Sequence, residues 1–236
     1  GLILGHRLSE WCGHAPMLEE ELALANMGLD LLGQARALYA HAGELEGKGR
    51  SEDDFAFLRR ERDYVNCLLV ERGNRDFAHT MLRQLYFAAF MQPFWHAIAQ
   101  TSSDETLRGI AAKADKEMSY HLRHSGEWVI RMGDGTEESA ARMADAVEEL
   151  HRYTGELFMA SPARQQAITS GLLPDPESLR AEWDETIATV FNAAKLELPE
   201  IRTMQKGGRD GIHGEDMGHL LAELQFMQRA YPGQTW

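Results

Sequence analysis

A strict heptad row between residues 107 and 132 constrains the fold more than any other feature of the sequence. The row is Leu107, Ala111, Ala114, Met118, His121, Ser125, Trp128 and Met132. Residues at alternating spacings of four and three share one face of an α-helix, so this segment predicts a long helix that packs along one seam. The sequence carries no strand-like alternation and no repeat of fixed solenoid length.

Other segments repeat the helical period. Residues 17–43 carry two apolar rows, and two rows predict a helix that is buried on more than one side. The first row is Leu18, Leu22, Ala25, Leu29 and Leu32, and the second is Leu24, Leu31 and Leu38. Residues 75–99 are apolar almost all round, which predicts a central helix. Long helices with short connections favour an all-α helical bundle.

Local signals predict where the helices begin. Ser51 and Thr136 are predicted N-caps, Ser102 and Glu105 form a capping-box pattern, and Asp175 precedes a proline that suits a first turn. Residues 51–71 are predicted to be helical, and residues 159–175 are predicted to form a loop. We predict one domain over residues 1–236, with a core bundle at about 2–158 and additional C-terminal helices at about 176–231.

Charge and cysteine usage exclude several classes of function. The net charge of −13 disfavours both nucleic acid and an anionic membrane surface as partners. The sequence lacks the run of about 18 apolar residues that a membrane-spanning helix needs. Cys12 and Cys67 lie far apart and outside any CxxC pair, so we expect neither a zinc site nor a disulfide framework. This usage is typical of the cytoplasm.

A helical bundle can hold a di-iron centre, but the ligand pattern is incomplete here. Such bundles use a Glu from each of two helices and a Glu-x-x-His from each of the other two. The heptad row presents Met118-x-x-His121 instead, and a thioether does not replace a carboxylate as a ligand of hard iron. An inward histidine by itself is more often a hydrogen-bonded core residue than a ligand.

Weaker ligand patterns each have a plainer interpretation. They are Asp76-x-x-His79, Glu148-x-x-His151, and the ladder of Glu215, His219 and Glu223. For Asp76 and His79 the plainer interpretation is a helix-start charge beside a core or boundary histidine. For Glu148 and His151 it is a solvated pair at the edge of the seam, and for the ladder it is a solvated helix face. Residues 205–209 offer backbone N–H groups and two positive charges to a phosphate, but a flexible loop is the favoured interpretation.

Several segments resemble one family of proteins. The most specific are HRLSEWCGHAP at residues 6–16 and LDLLGQAR at residues 29–36. Further matches are residues 24–26, 76–78, 116–117, 120–123, 154–158 and 232–236. These segments resemble the PaaC family, the structural, non-catalytic subunits of bacterial phenylacetyl-CoA ring 1,2-epoxidase complexes. The resemblance implies a ferritin-like four-helix bundle core with additional C-terminal helices.

The resemblance also implies a partner and a reaction. PaaC proteins pair, as a heterodimer or a higher assembly, with a PaaA-like catalytic subunit that carries the di-iron centre. A small subunit and an NADPH-dependent reductase complete the complex, which epoxidises the aromatic ring of phenylacetyl-CoA with O₂. The chain itself is then expected to hold no cofactor, no catalytic residue and no metal ligand. Self-association in isolation and contact of residues 205–214 with CoA stay open.

On the family pattern, a degenerate di-iron site is expected at six positions. The mapped positions are Glu10, Leu31, Gln34, Asp76, Met118 and His121. Two carboxylates and one histidine are missing on this mapping. Buried acids without a metal need a positive partner, so we expect Arg36 or Arg83 to take the place of the metal charge.

An enzyme is the alternative. A self-sufficient di-iron oxygenase or oxidase would use Asp76, His79 and His121 together with further acids. Iron analysis of the pure chain discriminates the enzyme from the structural subunit. A third possibility, a stand-alone binding module, would show as failure to co-purify with a ferritin-like partner.

Overall fold

The computed structural model describes residues 1–234, which form helices and loops without a strand. The α-helices in this range are α1 (Leu2–Ser9), α2 (Leu18–Glu46), α3 (Glu52–Phe57), α4 (Phe77–Thr101), α5 (Glu105–Gly133), α6 (Glu137–Leu150), α7 (Pro162–Thr169), α8 (Arg180–Ala194) and α9 (Glu215–Ala230). The predicted all-α class is confirmed, and the helical architecture is consistent with a ferritin-like bundle. Thr235 and Trp236, which belong to the matching tail at 232–236, lie outside the described residues.

The chain divides into two compact units. The terminal unit comprises Gly1–Gly73 and the segment that begins at Gly207, and the middle unit comprises Asn74–Lys206. The prediction of one domain over residues 1–236 stays a prediction. Across residues 1–234, none of the helices combines the length and the apolar character that a membrane crossing requires.

In the middle unit, α4 and α5 pack against each other, and both also contact α6 and α8. The predicted central helix is confirmed, since α4 buries side chains on every face. The heptad row of α5 is confirmed along its middle section. Its buried members are Ala111, Ala114, Met118, His121 and Ser125.

In the terminal unit, α1 packs on α2 where two glycines meet. A Cβ atom on Gly5 would lie 3.2 Å from the carbonyl oxygen of Gly28, and one on Gly28 would lie 3.3 Å from the carbonyl oxygen of Gly5. Larger residues at either position would therefore push the two helices apart. The unit also includes contacts of α3 with α2 and α9.

The prediction that both apolar rows of α2 are buried is wrong for this chain. Leu24 and Leu31 of the second row are fully buried. Leu18, Leu22 and Leu29 of the first row are 69%, 57% and 64% exposed. Periodicity places residues on a face, but it does not show whether another element covers that face.

Two predicted segments differ from the structure. The helix expected over 51–71 is α3 alone, followed by the 3₁₀ turns Glu61–Asp63 and Leu68–Glu71. Residues 59–63 are all charged and offer no apolar face, and Arg59 Nε donates to the carbonyl oxygen of Phe55 at 2.5 Å where the helix ends. The loop expected over 159–175 contains α7, which Ser161 caps and Pro162 begins.

Most of the predicted caps are confirmed. The Ser51 hydroxyl accepts from the backbone N–H of Asp54 in a full capping box, and Thr136 caps α6. The predicted role of Ser102 is wrong, because Asp104 is the N-cap of α5 and its Oδ1 accepts from the Leu107 N–H at 2.8 Å. The Ser102 hydroxyl instead accepts from the backbone N–H of Asp104, the N-cap residue, at 3.3 Å.

Candidate functional site

The α5 seam of the middle unit holds the most informative of the mapped positions. Met118 and His121 are fully buried, and so is Gln84 of α4. Gln84 Nε2 lies 3.0 Å from His121 Nδ1. An amide nitrogen can only donate, so Nδ1 accepts and the imidazole carries its proton on Nε2. His121 is thus a neutral, hydrogen-bonded histidine in the core.

This donor set does not fit a di-iron centre. Met118 offers a thioether and Gln84 a neutral amide, whereas iron in such bundles is bridged and neutralised by carboxylates. Among residues 1–234, no group of three or more His, Cys, Asp and Glu side chains is arranged to hold a metal ion.

Asp76 lies at the start of α4 and serves as its N-cap. Its Oδ1 accepts from the backbone N–H of His79 at 2.9 Å and lies 2.7 Å from His79 Nδ1. Burial raises the pKa of Asp76, but the hydrogen bonds from His79 and the nearby Arg142 outweigh it, so the pKa lies below its ordinary value. Asp76 precedes Gln84 by eight residues, about 12 Å along a helix.

His79 joins Asp76 to α6. Its Nε2 lies 3.6 Å from Asp145 and 3.5 Å from Glu149. Arg75 pairs with both of these acids. The plainer interpretation of Asp76 and His79, a helix-start charge with a core histidine, describes this geometry.

Arg83 is buried and donates from Nη2 to Asn74 Oδ1 at 2.5 Å. Gln84 was not predicted from the sequence, although a signal was present. Gln84 is a polar residue inside an otherwise apolar run, and buried polar groups in such runs need hydrogen-bond partners.

The mapped positions in the terminal unit differ in exposure. Leu31 and Gln34 are buried on α2, whereas Glu10 follows the end of α1 with its side chain partly exposed. The cation at Glu10 is Arg7, whose Nη1 lies 2.7 Å from Glu10 Oε1. Arg36, one of the two expected replacements for metal charge, is 77% exposed and pairs with Glu52 at 3.1 Å.

A buried ion pair in the terminal unit was not predicted. Glu71 and the His213 side chain are almost inaccessible, and Glu71 Oε1 lies 2.5 Å from His213 Nδ1. His213 Nε2 lies 2.8 Å from the carbonyl oxygen of Tyr64 and must donate to it. Asn66 Nδ2 and the Gly214 N–H donate to the two carboxylate oxygens at 2.8 and 3.0 Å. Both oxygens of Glu71 and both ring nitrogens of His213 are therefore hydrogen-bonded.

This pair has a structural consequence. Burial raises the pKa of Glu71, against the lowering effect of the hydrogen bonds from His213 and Gly214. The pair ties the segment before α9 to residues 64–71, and Arg7 donates to the Glu71 carbonyl oxygen at 2.8 and 3.0 Å. Glu71 and His213 are 142 positions apart, so no local spacing could indicate their contact.

The other two weak patterns differ in outcome. His151 is not the solvated histidine that was expected, because its Nδ1 lies 3.2 Å from the Tyr86 hydroxyl and burial lowers its pKa. Glu215, His219 and Glu223 are exposed on α9, so the solvated-face interpretation is confirmed.

Comparison with known proteins agrees with the resemblance seen in the sequence. One relative, a subunit of the 1,2-phenylacetyl-CoA epoxidase of Escherichia coli (strain K12), is 46% identical over 239 residues, covering 100% of this chain and 94% of the relative. A family model described as "Phenylacetic acid catabolic protein" matches residues 1–236. The chain therefore belongs to the family of phenylacetic acid catabolic proteins.

Proposed function

We propose that this chain is a non-catalytic structural subunit of a multicomponent phenylacetyl-CoA ring epoxidase. In that complex it docks and stabilises a PaaA-like subunit, which carries the di-iron centre and performs the reaction. The observation that carries the proposal is the buried face of α5. On the family pattern, Met118 takes the place of a ligand carboxylate on α5, and the buried His121 on the same face is hydrogen-bonded to Gln84.

The exposed row of α2 supports a docking role. Leu18, Leu22 and Leu29 lie on one helix face, four and seven positions apart, and all three are more than half exposed. Contiguous exposed apolar side chains mark interaction sites, and heptad spacing suits a facing helix. We assign the contact with the catalytic subunit to this row.

The proposal also concerns the metal and the compartment. Iron belongs to the catalytic subunit, and the contribution of this chain is to hold that subunit in shape. Cys12 and Cys67 do not form a disulfide with each other, in keeping with a reducing cytoplasm.

Co-expression with a PaaA-like subunit, followed by sizing and iron quantitation, tests the proposal. We expect a stable complex that contains iron. We expect no iron in this chain when it is purified alone. Leu29→Glu places a charge in the exposed row and should separate the subunits. Leu45→Glu is the matched control, because Leu45 lies on the same helix, is 72% exposed and falls outside the row.

Two outcomes would overturn the proposal. A di-iron complement in the isolated chain would favour the self-sufficient oxygenase with Asp76, His79 and His121 among its ligands. Failure of the wild-type chain to co-purify with the catalytic subunit would remove the docking role. If Leu29→Glu and Leu45→Glu weaken the complex equally, the exposed row is not the interface.

A further inference from the structure

A groove on the terminal unit has no role in the proposed function. It has a volume of about 510 Å³ and lies between α9 and the start of the 3₁₀ turn at Glu61. One row of α9 lines it, with members four positions apart: Gly218, Ala222, Phe226 and Ala230. Phe226 is 60% exposed and has small residues on either side along the row. The row therefore offers an aromatic contact with room for a second backbone to approach.

The floor of the groove is well ordered by its own contacts. Gln225 is almost fully buried, and its Nε2 donates to the Tyr64 hydroxyl and to the carbonyl oxygen of Arg59, both at 3.0 Å. Leu221 beside it is also buried. A groove with a fixed floor needs little reorganisation when a ligand binds, which favours affinity.

The rim of the groove is positive. Arg60 and Arg229 line it and are both exposed, against one lining acid, Glu61. Arg229 Nη2 is held by the carbonyl oxygen of Arg59 at 2.9 Å. The whole chain carries a net charge of −13, so this rim is opposite in sign to the protein around it. Such a rim attracts an acidic partner and disfavours a second copy of this acidic chain.

We propose that this groove docks an acidic amphipathic helix of a partner polypeptide. The apolar face of that helix packs on Phe226 and the small residues of the row, and its carboxylates pair with Arg60 and Arg229. Aromatic residues and arginine are both enriched at protein–protein interfaces, and this groove combines them. This site is separate from the exposed row of α2 and does not depend on which subunit of a complex is catalytic.

A synthetic helical peptide tests the proposal. The probe carries leucines on one face, glutamates on the other and a fluorescent label, and it is titrated with the full chain by anisotropy. Phe226→Ala should weaken binding by about tenfold or more, the usual effect at an aromatic anchor. The double variant Arg60→Glu/Arg229→Glu should weaken it at least as much, and added salt should reduce the wild-type affinity.

Matched controls separate the groove from its surroundings. Met227→Ala changes an exposed neighbour of Phe226 outside the groove, and Arg62→Glu changes an exposed arginine of the same loop that does not line it. Neither control should alter the affinity. No binding of the glutamate peptide, equal binding of a lysine version, or equal loss in the controls would overturn the proposal. A concentration-dependent dimer that Phe226→Ala abolishes would also overturn it, in favour of a second copy.

Discussion

Helices α2 and α5 are each 29 residues long and each carries a heptad row, yet the two rows have opposite environments. The row of α5 is buried through its middle, whereas Leu18, Leu22 and Leu29 of α2 are exposed. α5 has one apolar face, so only that face is favourably buried against neighbouring helices. α2 has two apolar rows, and only the second has fully buried leucines, Leu24 and Leu31. Heptad spacing defines a stripe on a helix, and its neighbours decide whether that stripe is covered.

The two units also differ in how they bury a histidine. In the middle unit, His121 of α5 is held by the neutral amide of Gln84. In the terminal unit, which contains α2, His213 is held by the carboxylate of Glu71. A neutral pair loses one hydrogen bond when a partner is removed, whereas a charged pair leaves an uncompensated buried charge.

The largest expected effect comes from breaking the charged pair. His213→Ala should lower the free energy of unfolding by about 3–5 kcal/mol, because Glu71 is left buried without its counter-charge. Gln84→Leu, the corresponding change in the middle unit, should cost about 1–3 kcal/mol, since His121 loses one hydrogen bond. Urea unfolding of both variants measures the difference, and equal losses would contradict the contrast between the units.

The same pair predicts a pH dependence. Folding raises the pKa of Glu71 above its ordinary value of 4.5, and we expect removal of His213, whose hydrogen bond lowers that pKa, to raise it further. A carboxyl whose pKa is raised on folding stabilises the protein below its unfolded pKa and loses that contribution as the pH rises through the folded pKa. The loss in the free energy of unfolding that His213→Ala causes should therefore be smaller near pH 4.5 than at pH 7. A loss that does not change with pH would argue against a charged Glu71.

Truncation within the two heptad rows tests the contrast between α2 and α5 directly. Met118→Ala leaves a cavity in the covered row and should cost about 2–5 kcal/mol. Leu29→Ala removes an exposed side chain from a row of the same spacing and should change the stability of the isolated chain by less than about 0.5 kcal/mol. Thermal unfolding of the two variants is the measurement. A large loss for Leu29→Ala in the isolated chain would mean that its row is covered there.

The starts of the two helices give the smallest expected effect. The Asp104 side chain caps α5, whereas Met17 at the N-cap of α2 makes no side-chain hydrogen bond. Asp104→Ala should lower the free energy of unfolding by about 1 kcal/mol, and Met17→Ser should raise it by up to about 1 kcal/mol. Circular dichroism during urea unfolding detects both shifts. A neutral result for Met17→Ser would show that the first turn of α2 is satisfied in another way.

Local patterns predicted those parts of the fold that depend on neighbouring residues. The caps at Ser51 and Thr136 are confirmed, because a cap is made within a single helical turn. The loop expected at 159–175 was wrong despite Ser161 and Pro162, which together carry the usual signal for a helix start. That error came from overlooking a local signal rather than from the lack of one.

The candidate site was predictable only in part. The inward positions of Met118 and His121 follow from the spacing of α5, and their burial is confirmed. The partner of His121 did not follow, because Gln84 lies on another helix and the contact depends on how α4 and α5 are aligned. The assignment of Glu10, Leu31, Gln34 and Asp76 to a degenerate metal site stays a prediction that rests on the family pattern.

The sequence by itself determined the helical class, the main helices, the caps at Ser51 and Thr136, and the family. Periodicity and matching segments are local properties that remain in the chain whatever it packs against. Only the tertiary structure decided which row of α2 is exposed, that Gln84 holds His121, and that Glu71 meets His213. Each of these depends on residues far apart in the chain, and their contact is set by packing and by the cost of burying a polar group without a partner.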